Sequence, residues 1–554
     1  MNIKKLCQVI VLKSQFAVFL PLIFISALFW VFSSIYGLTE TIDTGGALKN
    51  SFKPPAKNLT SKNTLPMFEA PPVERFNPQE AGAKVFIRNI KFLNNTIFTR
   101  REILTVIGGV PSRSFSLTEL FKLADKISRH YRNQGYFLAR AIIPNQKIKN
   151  NTVSIVILEG QYGKIYSEGD AAYGPQVMAY LNDLKTDAVI RSDPLIRKIG
   201  VISQLPGFET EYTLSPGAKI GQSDLRVKIE PTSHAFGSLN LANDGSRFFG
   251  KNRGRVDITL IPEVIFGDQI NMTLMKTSET FYLGRIGYAR PIGHDGGRVK
   301  VEMSRSTYDL SGQFDPLEGH TTGYLAEVSY PLLIGNQKET DAVLRVQRDE
   351  IVEMLAGAKF EKRVNEKFEF GISFKQKQSL LTASRRFGQI TVATTNVSSD
   401  RAGAAQGRAV ILSGNIEQHQ RIARSSVLKS RLVFQAASRQ NLNSLEGFSL
   451  GGAHGIRAYP VGEASGSNGF LGQFELYESL NAASAAYLFL DYGQVTENAG
   501  ENTRRLAGVG LGVQFSNKRL SLDLSLAQRL SMAASSVDPS NRDPQFWTSV
   551  NINF

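Results

Sequence analysis

DPQFWTSVNINF, residues Asp543–Phe554, ends the chain and decides its fold. From Phe546 onward apolar and polar side chains alternate, which places them on opposite faces of a β-strand. A soluble strand can show the same alternation. However, many segments upstream repeat it, and no long apolar helix accompanies them. This combination is typical of a transmembrane β-barrel, which turns apolar side chains to lipid and polar ones to a water-filled interior.

The composition agrees with a barrel, and the length indicates that the barrel is only part of the chain. The 554 residues exceed one ordinary domain. Apolar residues make up 42% and the mean hydropathy is −0.15, which is low for a helical membrane protein but normal for a barrel. Residues 234–554 read as strands and turns throughout, for example Leu506–Phe515, where Gly508, Gly510 and Gly512 alternate with apolar residues. At roughly 20 residues per strand and connection, we expect about sixteen strands. A soluble periplasmic β-sandwich is the alternative.

The N-terminus has the pattern of a secretion signal. Basic residues precede the uncharged apolar run Phe16–Tyr36, which predicts a signal peptide over 1–37. The run is also long enough to remain as a membrane anchor. Since Cys7 is the only cysteine, the mature chain would contain no thiol or disulfide. Residues 38–83 are rich in proline and polar residues and are interpreted as a linker.

Two α/β modules are predicted between the linker and the barrel. In residues 84–162, Thr99 and Ser116 each stand three residues before a glutamate and open a helix with a capping box. The order of elements is β-α-α-β-β. Residues 163–231 repeat this order, with Asp193 predicted as the N-cap of the second helix. The pattern predicts two tandem α+β modules of similar size.

A long glycine-rich loop is the most informative segment of the barrel. It spans Gly451–Phe470 and holds Ile456-Arg457-Ala458-Tyr459 near its centre. In the two strands that follow, the alternation turns Glu475, Phe489 and Asp491 into the lumen. Arg457 therefore has two candidate carboxylate partners, and such contacts are strong and directional. The alternative is an unpaired arginine on an external loop.

Other chemistry finds little support in the sequence. Gly447–Gly451 fits the G-x-S-x-G nucleophile pattern, but the residues after it cannot form the helix which that pattern requires. The six histidines show no pair at metal-ligand spacing. The net charge of +15 is scattered, so a nucleic-acid partner is not expected. We expect no catalytic residues, no cofactor and no metal.

Several segments together resemble the two-partner-secretion transporters, the haemolysin-activator and haemagglutinin-transporter family. This family lies within the superfamily of barrel-assembly proteins that carry POTRA modules. The resemblance runs from about residue 70 to 554 and rests on Ile127–Ile148, Val153–Gly160, Leu205–Ile229, Gly237–Gly250 and Gly267–Ile270.

The resemblance implies a sixteen-stranded transmembrane barrel, two periplasmic POTRA modules and a loop folded into the barrel. In the family that loop carries (V/I)-R-G-(F/Y), and here Ala458 replaces the glycine. The acidic partner of Arg457 corresponds best to Asp491, with Glu475 second. Many members have an N-terminal plug helix, but residues 38–50 read poorly as a helix. The terminal Phe554 resembles the signal that the barrel-assembly machinery reads in outer-membrane proteins.

The resemblance implies a translocator in the outer membrane of a Gram-negative bacterium, in contact with its lipid, that exports a large exoprotein. The exoprotein would be an adhesin, a haemolysin or a haem-acquisition protein. An insertase for other barrels is the main alternative, followed by a ligand-import receptor and an enzyme. The expected division is signal peptide 1–37, linker 38–83, first module 84–162, second module 163–231 and barrel 234–554.

Overall fold

The computed structural model describes residues 84–109, 112–262, 264–310, 317–377, 383–401, 406–496, 502–530 and 543–554. The predicted signal peptide 1–37 and linker 38–83 lie outside the described residues, and so does the segment considered for a plug helix.

The described elements fall into an α/β part followed by an all-β part. The helices are α1 (Arg100–Ile107), α2 (Leu117–Asn133), α3 (Gly174–Leu181) and α4 (Ser192–Ser203). The strands of the α/β part are β1 (Val85–Ile87), β2 (Asn89–Leu93), β3 (Arg113–Phe115), β4 (Arg140–Ile142), β5 (Thr152–Leu158), β6 (Gln161–Gly169), β7 (Phe208–Pro216) and β8 (Gln222–Pro231). No helix among the described residues is both long and apolar enough to cross a membrane.

The remaining strands follow one another along the chain. They are β9 (Ala235–Ala242), β10 (Arg253–Leu260), β11 (Gln269–Thr277), β12 (Tyr282–Ile292), β13 (Gly297–Asp309), β14 (Leu317–Ile334), β15 (Lys338–Leu355), β16 (Ala358–Gln376), β17 (Ser384–Ser399), β18 (Gly407–Arg421), β19 (Ser426–Ala437), β20 (Phe448–Ser449), β21 (Ser465–Gly466), β22 (Asn468–Ser479), β23 (Ser484–Thr496), β24 (Thr503–Ser516), β25 (Leu520–Arg529) and β26 (Gln545–Asn553).

The first module packs α1 and α2 against the sheet β2–β5–β4. Both capping boxes are present. The Thr99 and Ser116 side chains accept hydrogen bonds from the backbone N–H groups three residues on, and the glutamate side chains at those positions accept hydrogen bonds from the backbone N–H groups of Thr99 and Ser116. The buried carboxylate of Glu159 accepts bonds from the backbone of Thr96 and Ile97, which fixes the turn before α1. The alternation over Val85–Phe92 predicts a single strand, which the structure divides into β1 and β2. Strand β3, which pairs with β1 in a separate sheet, is not predicted, because three residues are too few to show a period.

The second module has the predicted order β-α-α-β-β and the sheet order β6–β8–β7. Leu225, Val227 and Ile229 lie on one face of β8 and are buried against the helices. The prediction that Asp193 caps α4 is wrong. The helix begins at Ser192, its N-cap is Arg191, two residues before the predicted one, and Asp193 lies in the first turn without capping the helix.

Sixteen strands, β9–β19 and β22–β26, form a closed antiparallel barrel, which confirms the predicted fold. The last strand shows why the alternation was a reliable signal. Phe546 and Ile552 are 48% and 40% exposed on the outer face, whereas Trp547 is 5% exposed inside. Closure matters because an open sheet edge in lipid would leave backbone groups unpaired. At the seam, β26 pairs with β9, and Phe554 exchanges two backbone hydrogen bonds with Gly237.

The second module is joined directly to one rim of the barrel. Phe266, between β10 and β11, stacks on Phe208 of the module with ring centroids 5.0 Å apart. Lys198 of α4 lies 2.7 Å from Asp183 and 3.0 Å from Asp295 in the turn between β12 and β13. Burial opposes the charge of Lys198, but the hydrogen bonds to these two carboxylates outweigh it and raise its pKa. The module core therefore continues into the rim.

Arg197 adds a second point of attachment between module and rim. Its Nη2 donates to the carbonyl oxygen of Pro331 at 3.0 Å and to the Tyr330 hydroxyl at 3.2 Å, both near the end of β14. Helix α4 therefore contacts two neighbouring hairpins of the barrel.

Candidate functional site

The inward loop connects β19 to β22 and runs from residue 438 to residue 467. It begins earlier than the predicted Gly451. The prediction missed the first part of the loop because that part lacks the many glycines of Gly451–Phe470. Strands β20 and β21 pair within the loop and hold its two limbs together. Ser449 of the G-x-S-x-G match lies in β20, so the strand-turn-helix geometry of a nucleophile elbow is missing from this described segment.

Glycine allows the centre of the loop to fold tightly. A Cβ atom at Gly455 would lie 1.8 Å from the Leu450 carbonyl oxygen, and one at Gly451 would lie 2.0 Å from that of Pro460. Gly452 has φ +100°, a backbone conformation that favours glycine. These close approaches are possible only without side chains, which explains the glycine-rich composition.

The predicted motif lies inside the barrel. Ile456, Ala458 and Tyr459 are each at most 1% exposed and pack in a cluster with aromatic residues of the wall. Ala458, which stands where the family has glycine, does not have a positive φ. A Cβ atom at Gly508 of β24 would lie 2.6 Å from the Ala458 Cβ. The bare inner face at Gly508 therefore makes the room that Ala458 occupies.

Arg457 meets both predicted carboxylates. Its Nε and Nη2 lie 2.8 Å and 2.6 Å from the two Asp491 oxygens, and its Nη1 lies 2.5 Å from Glu475 Oε1. The backbone N–H of Arg457 also donates to Asp491 at 3.0 Å. Arg457 is 6% exposed and Asp491 is fully buried. The geometry is that of a forked arginine–carboxylate contact inside the lumen.

Two further contacts complete the environment of Arg457. The guanidinium carbon lies 3.5 Å from the centroid of the Phe489 ring, within cation–π range. The Nε1 of Trp547 donates to the Arg457 carbonyl oxygen at 2.7 Å. The alternation placed Phe489 and Trp547 on inward faces but could not show that they contact the loop.

The loop is also tied to the wall away from Arg457. Glu463 accepts from Arg504 of β24 at 2.8 Å. The Nε2 of His454 lies 3.3 Å from Asp244, between β9 and β10. Glu446 accepts hydrogen bonds from Asn365 and Lys367 of β16, each at 3.0 Å. The sequence alone did not single out these residues, since their partners lie far along the chain.

Phe554 lies apart from this site. Its side chain is 67% exposed, and its ring would lie 2.7 Å from a Cβ atom at Gly237. The terminal aromatic therefore packs over the seam between the first and last barrel strands.

Comparison with protein families gives two matches. The model for haemolysin secretion/activation protein ShlB/FhaC/HecB matches residues 221–515, and the model for the ShlB-type POTRA domain matches residues 85–160.

Among individual proteins, the heme/hemopexin transporter protein HuxB of Haemophilus influenzae is 25% identical over 510 residues, covering 85% of this chain and 88% of its own. The hemolysin transporter protein ShlB of Serratia marcescens is 21% identical over 472 residues, with 79% and 81% covered.

Among solved structures, CdiB from Escherichia coli superposes with a TM-score of 0.71 at 17% sequence identity, covering 88% of this chain and 94% of its own. CdiB from Acinetobacter baumannii gives 0.65 at 15% identity, with 86% and 91% covered. At these identities the structural likeness concerns the fold.

Proposed function

The chain belongs to the haemolysin secretion/activation family ShlB/FhaC/HecB and is an outer-membrane transporter of two-partner secretion, and from this premise we propose how it handles its exoprotein. The modules capture an extended segment of the exoprotein in the periplasm. The segment then passes through the barrel as the inward loop gives way. The observation that carries this proposal is the buried Arg457 contact, which holds a loop inside the lumen of a barrel whose rim bears the modules.

Capture is proposed to occur by addition of a strand to a sheet edge, which uses main-chain hydrogen bonds and tolerates many sequences. Strand β7 suits this role. It is nine residues long, and β8 is its only sheet neighbour in the described part of the chain. The corresponding edge strand of the first module, β4, has only three residues. Glu209 and Glu211 are exposed along β7, so basic residues in the captured segment would be favoured there.

No covalent chemistry or cofactor is part of the proposal. The exoprotein folds outside the cell, and this folding prevents its return. By analogy with relatives named for heme/hemopexin and hemolysin transport, the cargo is an adhesin, a haemolysin or a haem-acquisition protein. In this proposal the chain consists of a signal peptide (1–37), a linker (38–83), two modules (84–162 and 163–231) and the barrel (234–554). Lipid and the barrel-assembly machinery are proposed as its other partners, the latter through Phe554.

Deletion of residues 84–231 tests the proposal. The remaining chain is expected to form a heat-modifiable barrel but to secrete no exoprotein. The product of the neighbouring gene is the first exoprotein to assay. Secretion at normal levels would contradict the role of the modules. The amount of an unrelated porin serves as the control. A fall in that amount would favour the insertase alternative, which predicts a loss of many outer-membrane proteins.

A further inference from the structure

Glu446 lies in the first limb of the inward loop and is almost completely buried. The residue is 5% exposed, and its two carboxylate oxygens accept separately from Asn365 Nδ2 and Lys367 Nζ, each at 3.0 Å. Asn365, itself fully buried, is oriented by a hydrogen bond from Thr395. A buried carboxylate requires such partners, because removal of a charge from water is costly unless the charge is paired. The contact joins the loop to β16.

The main chain of Glu446 is held without its carboxylate. Its N–H donates to the Asn443 carbonyl at 2.8 Å, and its carbonyl oxygen accepts from Gln435 Nε2, also at 2.8 Å. The local turn therefore does not depend on the side chain. The carboxylate serves the contact with β16.

The position of this contact in the barrel is informative. The loop reaches the wall through Glu446 at β16, through Arg457 at β23, and through His454 at the connection that leads into β10. In the ring of sixteen strands, β10 to β16 is six steps, β16 to β23 is five, and β23 to β10 is five. Five steps correspond to about 24 Å along the wall at about 4.8 Å per strand. These three of the loop's wall contacts are nearly evenly spaced around the lumen.

The limb also bounds a polar chamber of about 410 Å³ against the wall. Leu445 and Glu446 line its loop side, and charged residues of β12 to β16 line the other. Arg345 illustrates that wall, since it pairs with Glu327 and with Glu369. Lys367 lies 3.5 Å from Glu369 and so retains an acidic neighbour if Glu446 is lost. Displacement of the limb would open the chamber to the rest of the lumen.

We propose that Glu446 is a positioning residue for the inward loop, and that the ion pair between Glu446 and Lys367 must break before the pore opens. Its charge is opposite to that of Arg457, so the loop is fastened by an anion at one wall and by a cation at another. The inference rests on the proposed role of the lumen as the export path. It adds a second fastening that acts independently of Asp491 and Glu475.

Single-channel recording of the purified full-length protein in planar bilayers tests the inference. Glu446→Gln keeps an acceptor for Asn365 and removes only the charge. We expect the ratio of open to closed time to rise roughly tenfold, because a hydrogen bond to a charged group contributes enough to change an equilibrium by that factor. Lys367→Gln should raise the ratio to a similar extent. The ratio of the double variant should be close to that of either single variant, because both substitutions remove the same ion pair. The swap Glu446→Lys with Lys367→Glu should lower the ratio again.

The matched control is Asp400→Asn, which removes an exposed ion pair with Lys359 of β16, the strand that also carries Lys367. Its gating should equal that of the wild type. Heat-modifiability on a gel reports folding separately. If Glu446→Gln does not fold, Glu446→Asp keeps the charge on a shorter side chain and should give an intermediate ratio.

The outcomes separate this inference from the proposed function. Wild-type gating in a folded Glu446 variant, or additive effects of the Glu446 and Lys367 substitutions, would overturn the inference. If the Glu446 inference fails in this way but Arg457→Ala alters both gating and secretion, the export role of the lumen stands without the second fastening. If neither the Glu446 nor the Arg457 variant changes gating, both are rejected.

Discussion

Arg457 shows how a buried charge is stabilised at the scale of single residues. Burial of an ion costs several kcal/mol, which a single contact rarely offsets. Here two carboxylates, the Phe489 ring and a forked geometry act together on one guanidinium. Because Asp491 is fully buried, the loss of the Arg457 guanidinium would leave a buried carboxylate without its ionic partner. Removal of either member should therefore affect the position of the loop strongly.

The first prediction concerns the pairing of Arg457 with Asp491. Arg457→Ala should still give a heat-modifiable barrel but secrete poorly, because a buried pair that loses one partner costs about 3–5 kcal/mol. Lysine should rescue only in part, since it lacks the planar fork. The charge swap Arg457→Asp with Asp491→Arg should restore only some function, because Asp491 also accepts the main-chain N–H at position 457. A double-mutant cycle on secretion rate measures the coupling, and simple additivity would reject the pairing.

The second prediction concerns the space beside Ala458. Gly508→Ala should displace the loop and lower secretion, because the new methyl group would lie 2.6 Å from the Ala458 Cβ. Adding Ala458→Gly should restore secretion. Gly472→Ala is the matched control, since a Cβ atom there meets nothing nearer than 3.8 Å. Normal secretion by the Gly508 variant alone would show that the contact does not position the loop.

The inward and outward faces at this site could be predicted from alternation. Glu475, Phe489 and Asp491 lie inside as expected, because the two-residue period is a local property of each strand. The contacts of Trp547 and Glu446 could not be predicted. Trp547 lies ninety residues beyond Arg457, and which side chains meet across a lumen depends on register and closure, which no local pattern encodes.

At the scale of elements, short-range chemistry governs the helices. The capping boxes of α1 and α2 form as predicted, because each involves only four consecutive residues. The predicted cap at Asp193 is wrong, since α4 is capped two residues earlier, at Arg191, and the aspartate lies inside its first turn. There it still acts favourably on the helix dipole. Sequence rules thus identify the helix better than its first residue.

The third prediction concerns the start of α2. Ser116→Ala should destabilise this helix by about 1 kcal/mol, the usual effect of losing a cap. Hydrogen exchange of the α2 amides in the full-length protein measures the change. Ser114→Ala, two residues earlier in β3, is the control and should leave α2 unchanged. Equal protection of α2 in both variants would contradict the prediction.

The same cap should respond to acid. Hydrogen bonds from the Arg113 side chain and the Ser116 backbone lower the pKa of Glu119 from 4.5 to about 2. A lowered pKa means that the contribution of Glu119 is complete above about pH 4.5 and is lost as the pH falls toward 2. Protection of α2 should decline over that interval in the wild type, and less so in Glu119→Gln.

At the scale of the whole molecule, closure depends on the two ends of the barrel sequence. Phe554 and Gly237 exchange two backbone hydrogen bonds, and the ring covers the glycine. The fold class could be predicted because sixteen strands repeat one local pattern. The direct joint between module and rim could not, since Phe266 lies in a turn where no periodicity reveals a partner.

The fourth prediction concerns this closure. Deletion of Phe554 should slow barrel assembly, measured as the rate at which heat-modifiable protein accumulates in outer-membrane fractions. Phe546→Ala removes an aromatic from the outer face of the same strand but keeps the backbone bonds, and it should assemble at nearly the normal rate. Equal rates for the deletion and the wild type would show that the terminal aromatic is not read during assembly.

The joint between the second module and the rim has a mechanical consequence. Helix α4 is held at Asp295 in one hairpin and at Pro331 in the next, and a body fixed at two points resists rotation about either. These contacts restrict rotation of the module, and if β7 captures the exoprotein as proposed, the bound strand would approach the pore in one fixed orientation. A pull on that strand would then be transmitted to the barrel wall through α4, and successive exoproteins would begin export in the same position relative to the pore.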